Sequence, residues 1–220
     1  GLLLPVIEVH AASGTTVRVL LTAQGSADLV SHVAIRAEAG ATAHLQTFLT
    51  GGRICRAEVD AKLAEGARLE TSGLVLARDR EHADQHVEIQ YVGEGATSDQ
   101  LYRNIVDDRA RAVFTGAVTI GKGIRSTDAE QSVKSLLLGE RASSVSRPWL
   151  EIHNEHVTAA HGATVGQLDA EALFYLRSRG LSEAGARRLL TRAFAGEVVA
   201  TVSELRRPRV EALVQAWLDA

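Results

Sequence analysis

Two hundred and twenty residues with 45% apolar and 23% charged side chains suffice for one sizeable domain with its own core, which excludes a disordered chain. The formal charge of −3 offers no broad attraction for nucleic acid or an anionic membrane, and no stretch approaches the roughly 20 apolar residues of a spanning helix. Cys55, the sole cysteine, rules out an intramolecular disulfide and fits a reducing compartment, so a soluble, cytoplasmic protein is expected. Gly1 to Pro5 lacks the charged start and cleavage pattern of a signal peptide and reads as a cut point in a longer protein.

Glycine followed by an alternating run recurs along the first half, at Gly14, Gly40, Gly66, Gly95 and Gly121, with intervals of 26, 26, 29 and 26 residues. Between the glycines the side chains follow strand parity. Val17, Val19 and Leu21 oppose Thr16, Arg18 and Leu20, and Val33, Ile35 and Ala37 alternate with His32, Arg36 and Glu38. Val113, Val118 and Ile120 add β-branched residues suited to a pleated surface. Two strands per repeat, joined at glycine corners, can wind as coils of a β-solenoid that stack apolar side chains inside. The period favours that fold; a β-sandwich shares the short strands and regular turns and stays open as the alternative.

After Gly162 the pattern turns helical. Asp169 is placed to cap a helix from Ala170, with Leu168 and Leu173 as a hydrophobic staple and Gly180 as terminator. Ser182 caps a second helix with Ala186, Leu189, Leu190, Ala193 and Phe194 at three-and-four spacing, running to Gly196. A further helical stretch from Glu197 gives way at Pro208 to a last helix carrying Val210, Leu213, Val214, Trp217 and Leu218 on one side. The chain therefore divides into a β-helix core over 1–164 and a helical subdomain over 165–220. The arginines of the tail read mainly as a solvated helix face.

No phosphate loop, paired-cysteine metal site or Gly-x-Ser-x-Gly elbow occurs, so nucleotide hydrolysis and covalent catalysis by this chain are not expected. His82, Asp84 and His86 share one strand face and could hold a metal, although a polar outward stripe is the plainer reading. Cys55 is more simply a small core residue than a ligand. His153, His156 and His161 cluster where solenoid meets helices, a place suited to an interface.

The run Leu150-Glu151-Ile152, then His161 to Asp169 (HGATVGQLD) and Leu173 to Gly180 (LFYLRSRG), resembles the signature of the SufB/SufD family. Leu101-Tyr102, Val113 to Gly116, Thr127 to Gln131 and Leu136 to Leu138 follow in the family's order. The resemblance implies a parallel β-helix with C-terminal helices, acting as a non-catalytic scaffold of iron–sulfur cluster assembly. It implies a SufC-type ATPase docked on those helices, with Phe174, Tyr175, Arg179, Leu189, Leu190 and Phe194 as candidate contacts. It implies pairing through the β-helix with SufB or a second copy. His161 stands in the SufD-type His-Gly-Ala-Thr segment, where SufB has glutamate, and is the candidate cluster-site or interface ligand; Cys55, His82, Asp84 and His86 are weaker candidates. The stretch corresponding to a SufB cysteine, Gln131 to Gly139, holds no thiol, and Ala159 replaces a cysteine often found in SufD. One imidazole cannot hold a cluster, so no cofactor bound stably by this chain alone is expected, and any cluster would visit a subunit interface transiently. Outside that resemblance, a carbohydrate- or acyl-processing β-helix enzyme and a self-associating structural solenoid are the competing functions.

Overall fold

The computed structural model describes residues 1–220. Thirteen strands come first: β1 (Leu2–Leu3), β2 (Val6–Ala11), β3 (Thr16–Ala23), β4 (Asp28–Ala37), β5 (Thr42–Thr50), β6 (Ile54–Leu63), β7 (Arg68–Ala77), β8 (His82–Tyr91), β9 (Thr97–Val106), β10 (Arg111–Ile120), β11 (Thr127–Leu137), β12 (Ser143–Ile152) and β13 (Val157–Gly166). Three helices follow: α1 (Ala170–Ser178), α2 (Glu183–Val199) and α3 (Arg207–Asp219).

Every strand pairing is parallel, and the chain alternates between two sheets. One sheet runs β4-β6-β8-β10-β12, with β1 and β2 both on β4 as a first rung broken around Pro5; the other runs β3-β5-β7-β9-β11-β13. Each coil thus gives one strand to each sheet. The fold is a parallel β-solenoid with a helical tail, and the sandwich alternative falls because consecutive strands never hydrogen-bond to one another.

The first corner column explains the glycine period. Gly14, Gly40, Gly66 and Gly95 all have φ between +63 and +68°, a region that costs a side chain energy. Each hands its N–H to the coil above, Gly14 to the carbonyl of Ala39, Gly40 to Glu65, Gly66 to Glu94 and Gly95 to Arg125. The next member of the column is Ser126, with φ +56° and its N–H on the carbonyl of His156, rather than Gly121. The connection after β10 is longer than the earlier ones, so Thr97 lies over Asp128 and the fifth glycine of the spacing is displaced from the corner.

Between the sheets the core has three zones. Val33, Ile35, Val59, Ile89, Tyr91 and Ile120 pack against Leu45, Leu69 and Val133 on one side. Small residues fill the other, with Cys55, Ala57, Ala83, Ala110 and Ala112 facing Leu49, Val75 and Val106. A polar belt lies between. Nε2 of Gln85 donates to the Thr47 hydroxyl at 3.1 Å, the Thr71 and Tyr102 hydroxyls meet at 2.7 Å, and Nδ2 of Asn104 donates to Ser135 at 3.0 Å. These bonds offset the cost of removing amides and hydroxyls from water.

The second sheet is buried on both faces where the tail covers it, which is why β5, β7 and β9 carry continuous buried runs instead of strict alternation. Phe48, Leu74, Leu76, Ile105 and Leu136 pack against Ala195, Val198, Val202, Val210, Val214 and Trp217. Asp169 caps α1 through the N–H groups of Glu171 and Ala172, and Ser182 caps α2 through that of Gly185, as the cap residues predict. Gly196 does not end α2, which runs on to Val199. The buried face of α2 is centred on Thr191, Ala195 and Val198, so the stripe the spacing predicts is shared: Ala186 is buried, Leu190 and Phe194 are half-buried, and Leu189 and Ala193 face solvent.

Polar clamps lock the tail in place. Arg103, only 3% exposed on its side chain, donates through Nε and Nη2 to Glu197 of α2 at 2.9 and 2.6 Å and through Nη1 to the carbonyls of Tyr102 and Ser132. Arg78 lies 4.2 Å from the centre of the Trp217 ring and donates to the Trp217 carbonyl.

Close packing of the interior gives a test. A Cβ at Gly73 would sit 2.5 Å from the Tyr102 ring, whereas one at Gly196 meets nothing within 4 Å. Gly73→Ala is expected to cost about 1–3 kcal/mol in denaturant unfolding through overpacking, while Gly196→Ala is expected to be neutral or to stabilise by up to ~1 kcal/mol through helix propensity.

Candidate functional site at the open end of the solenoid

After Gly166 the chain leaves the coils and turns onto the outer face of the second sheet, so β12 and β13 each have a neighbour on one side only. Each is ten residues long. Half the backbone donors and acceptors of such a strand point away from its neighbour and offer themselves to another strand. Pro148 is tolerated within β12 because an edge strand has fewer ladder bonds to lose.

His161 sits in the middle of β13, opposite Gln131. It shares parity with Val157 and Ala159, which pack against the core, so it belongs to the inward-facing row and lies at the mouth of the polar belt. Successive rungs behind it on the same row are Gln131, Gln100 and Thr71, all buried. His161 itself is exposed, and its ring has no hydrogen-bond partner in the chain. The other junction histidines differ. His153 Nε2 lies 3.0 Å from Glu151 Oε1, and His156 is in the turn before β13, where its N–H binds Asn154 Oδ1. Trp149, on the outer face of β12, is 64% exposed.

The weaker sequence candidates lie elsewhere. His82, Asp84 and His86 do share the outer face of β8, but Asp84 pairs with Arg56 and His86 Nε2 bonds Glu88 at 2.9 Å. No three His, Cys, Asp or Glu side chains in the chain are grouped so as to hold a metal. Arg56 also bonds Glu58, and that hydrogen bond holds the Glu58 carboxyl below its ordinary range. Cys55 is buried on the inner face of β6, where burial, with a smaller contribution from the Glu81 charge, pushes its thiol up to about 12. A thiol so placed is neither a nucleophile nor a ready ligand.

On the tail, Phe174 is 74% exposed and Tyr175 56%, with the Arg179 guanidinium 5.4 Å from the Tyr175 ring centre. Together with the solvent-facing Leu189 they leave an uncovered apolar surface on α1 and α2.

Two features escaped reading from the sequence. The inward row ending in Gln100 and Gln131 was detectable as polar residues on the core parity of strongly alternating strands. The Arg103–Glu197 clamp carried no local signal, since its partners are far apart in the chain.

A parallel β-solenoid with an open terminal coil, an imidazole at its mouth and a helical tail defines the class of protein. The family described as "SUF system FeS cluster assembly, SufBD core domain" matches residues 1–194. The chain is 35% identical over 159 residues to the iron-sulfur cluster assembly protein SufD of Escherichia coli K12, covering 72% of this chain and 38% of that protein. It is 33% identical over 186 residues to a SufBD family protein of Synechocystis, covering 77% and 41%, and 32% identical over 204 residues to one of Mycobacterium leprae, covering 88% and 51%. The chain belongs to the SufBD family of SUF-system iron–sulfur cluster assembly proteins. It spans between about a third and a half of the length of these relatives. No helix is long and apolar enough to cross a membrane.

The Cys55 environment predicts slow chemistry. Alkylation of the native protein at pH 8 is expected to be negligible on the timescale in which the unfolded chain reacts fully; comparable rates in both states would place the thiol in solvent.

Proposed function

We propose that this chain is a SufD-like scaffold subunit, cytoplasmic and without catalysis of its own, whose open solenoid end pairs edge to edge with a SufB-like paralogue or a second copy. The observation that carries this reading is the pair of ten-residue strands, β12 and β13, left with unpaired edges in a family whose named function is cluster assembly. Strand addition across both sheets would continue the two ladders and satisfy the free backbone groups. His161 would then lie at the join, supplying one ligand to a nascent cluster while the partner supplies the others. The cluster is cargo that visits this interface and does not reside in the chain.

The helical tail is the docking site for a SufC-type ABC ATPase. Its support is the uncovered apolar surface around Phe174, Tyr175 and Leu189, beside Arg179, on helices anchored to the solenoid by Arg103 and Trp217. Aromatic and arginine side chains are favoured anchors of such contacts.

Two measurements check this. His161→Ala in the full-length protein is expected to change unfolding stability by no more than about 0.5 kcal/mol, as an exposed position should, while cluster formation by the assembled complex falls sharply. Loss of folding together with unimpaired assembly in the folded fraction would make the residue structural. Replacing Phe174 and Tyr175 by alanine should weaken ATPase binding, read by calorimetry, by tenfold or more at about 2 kcal/mol for an anchor residue. Unchanged binding would move the docking site elsewhere.

A further inference from the structure

The polar belt ends in an unfinished hydrogen-bond ladder. Gln100 and Gln131 occupy adjacent rungs with both side chains inward, and Nε2 of Gln131 donates to Oε1 of Gln100 at 2.7 Å. Amides stacked on successive parallel rungs repeat that bond along the axis, each carbonyl accepting a hydrogen bond from the rung beyond. Gln131 is 2% exposed, and its Nε2 lies against Gly116 of the facing sheet. Its Oε1 is buried and receives no donor. The rung beyond Gln131 in the same row is His161, roughly 4.8 Å away along the ladder.

We infer that Gln131 is the positioning residue for His161: a turn of the exposed imidazole brings one ring N–H onto the free Gln131 amide oxygen, which fixes the tautomer and leaves the other ring nitrogen unprotonated and turned toward the open end. A buried acceptor without a donor is costly, and the neighbouring imidazole is a group on the next rung of the same row able to supply one. The same bond prepares the ring to act as a ligand, because the hydrogen bond at one nitrogen decides which nitrogen offers its lone pair. Gln131 touches no cargo itself; it acts through His161. This deepens the reading of His161 as a ligand at a shared edge and rests on it.

The test reads the ring directly. Full-length protein labelled with 15N-histidine is examined by long-range 1H–15N spectra at a pH where the imidazoles are neutral, with the His161 signals assigned by their loss in His161→Ala. Wild type is expected to show two well-separated ring nitrogens, one protonated and one bare, and in Gln131→Leu both shifts should move toward the average of exchanging tautomers. Cluster formation by the whole assembly should fall about 10- to 100-fold in the same variant, the usual loss when a ligand's outer partner is removed. Averaged nitrogens in wild type, which needs no substitution to fold, would overturn the inference, and so would a spectrum unchanged by Gln131→Leu. A tautomer held by Gln131 alongside normal cluster formation by His161→Ala would support the positioning bond and reject the ligand reading.

Discussion

Backbone hydrogen bonding between successive coils is the constraint on which everything else in this molecule depends. Strands that are neighbours in sequence never pair; each finds its donors and acceptors one full turn away, so no coil is stable alone. That arrangement forces identical geometry at each corner, which places glycine at φ near +65° in the first four coils and obliges Ser126 to accept the same strained region in the next. It also forces the register that stacks like positions into rows. The apolar zones and the polar belt follow from those rows.

A solenoid built this way has ends by construction, and the two faces of the second sheet are treated differently from them. The tail returns over that sheet and covers Phe48, Leu74, Ile105 and Leu136, fixed by the Arg103–Glu197 pair and by Arg78 against Trp217. Nothing in the tail crosses the edges of β12 and β13. The rigid part of the molecule therefore holds one exposed imidazole at a site bounded by free backbone groups, and holds a separate apolar surface on α1 and α2.

Much of this was legible in the residues. Recurring glycines with strand parity between them revealed the coils, and Asp169 and Ser182 marked the starts of α1 and α2, because corner and cap chemistry is local. Local signals also misled. Gly121 continued the numerical period but sits in a lengthened connection, and Gly196 looked like a terminator although the packing of Val198, Val199 and Val202 on the sheet carries the helix past it. His161 was found through family likeness, while its relation to Gln131 needed the register, which sets a residue of one coil against another thirty positions away. The face of α2 was rotated from the predicted stripe because burial was decided by the sheet beneath and not by the helix's own periodicity.

The central claim is that the edges of β12 and β13 are a joining surface. Amide hydrogen exchange of the full-length protein, alone and with the SufB-like paralogue proposed as its partner, measures it at the backbone itself. The account predicts strong new protection confined to the outward N–H groups of β12 and β13, among them those of Leu150 and His161. Association that leaves those amides exchanging as fast as in the isolated protein, with protection appearing on another surface, would contradict it.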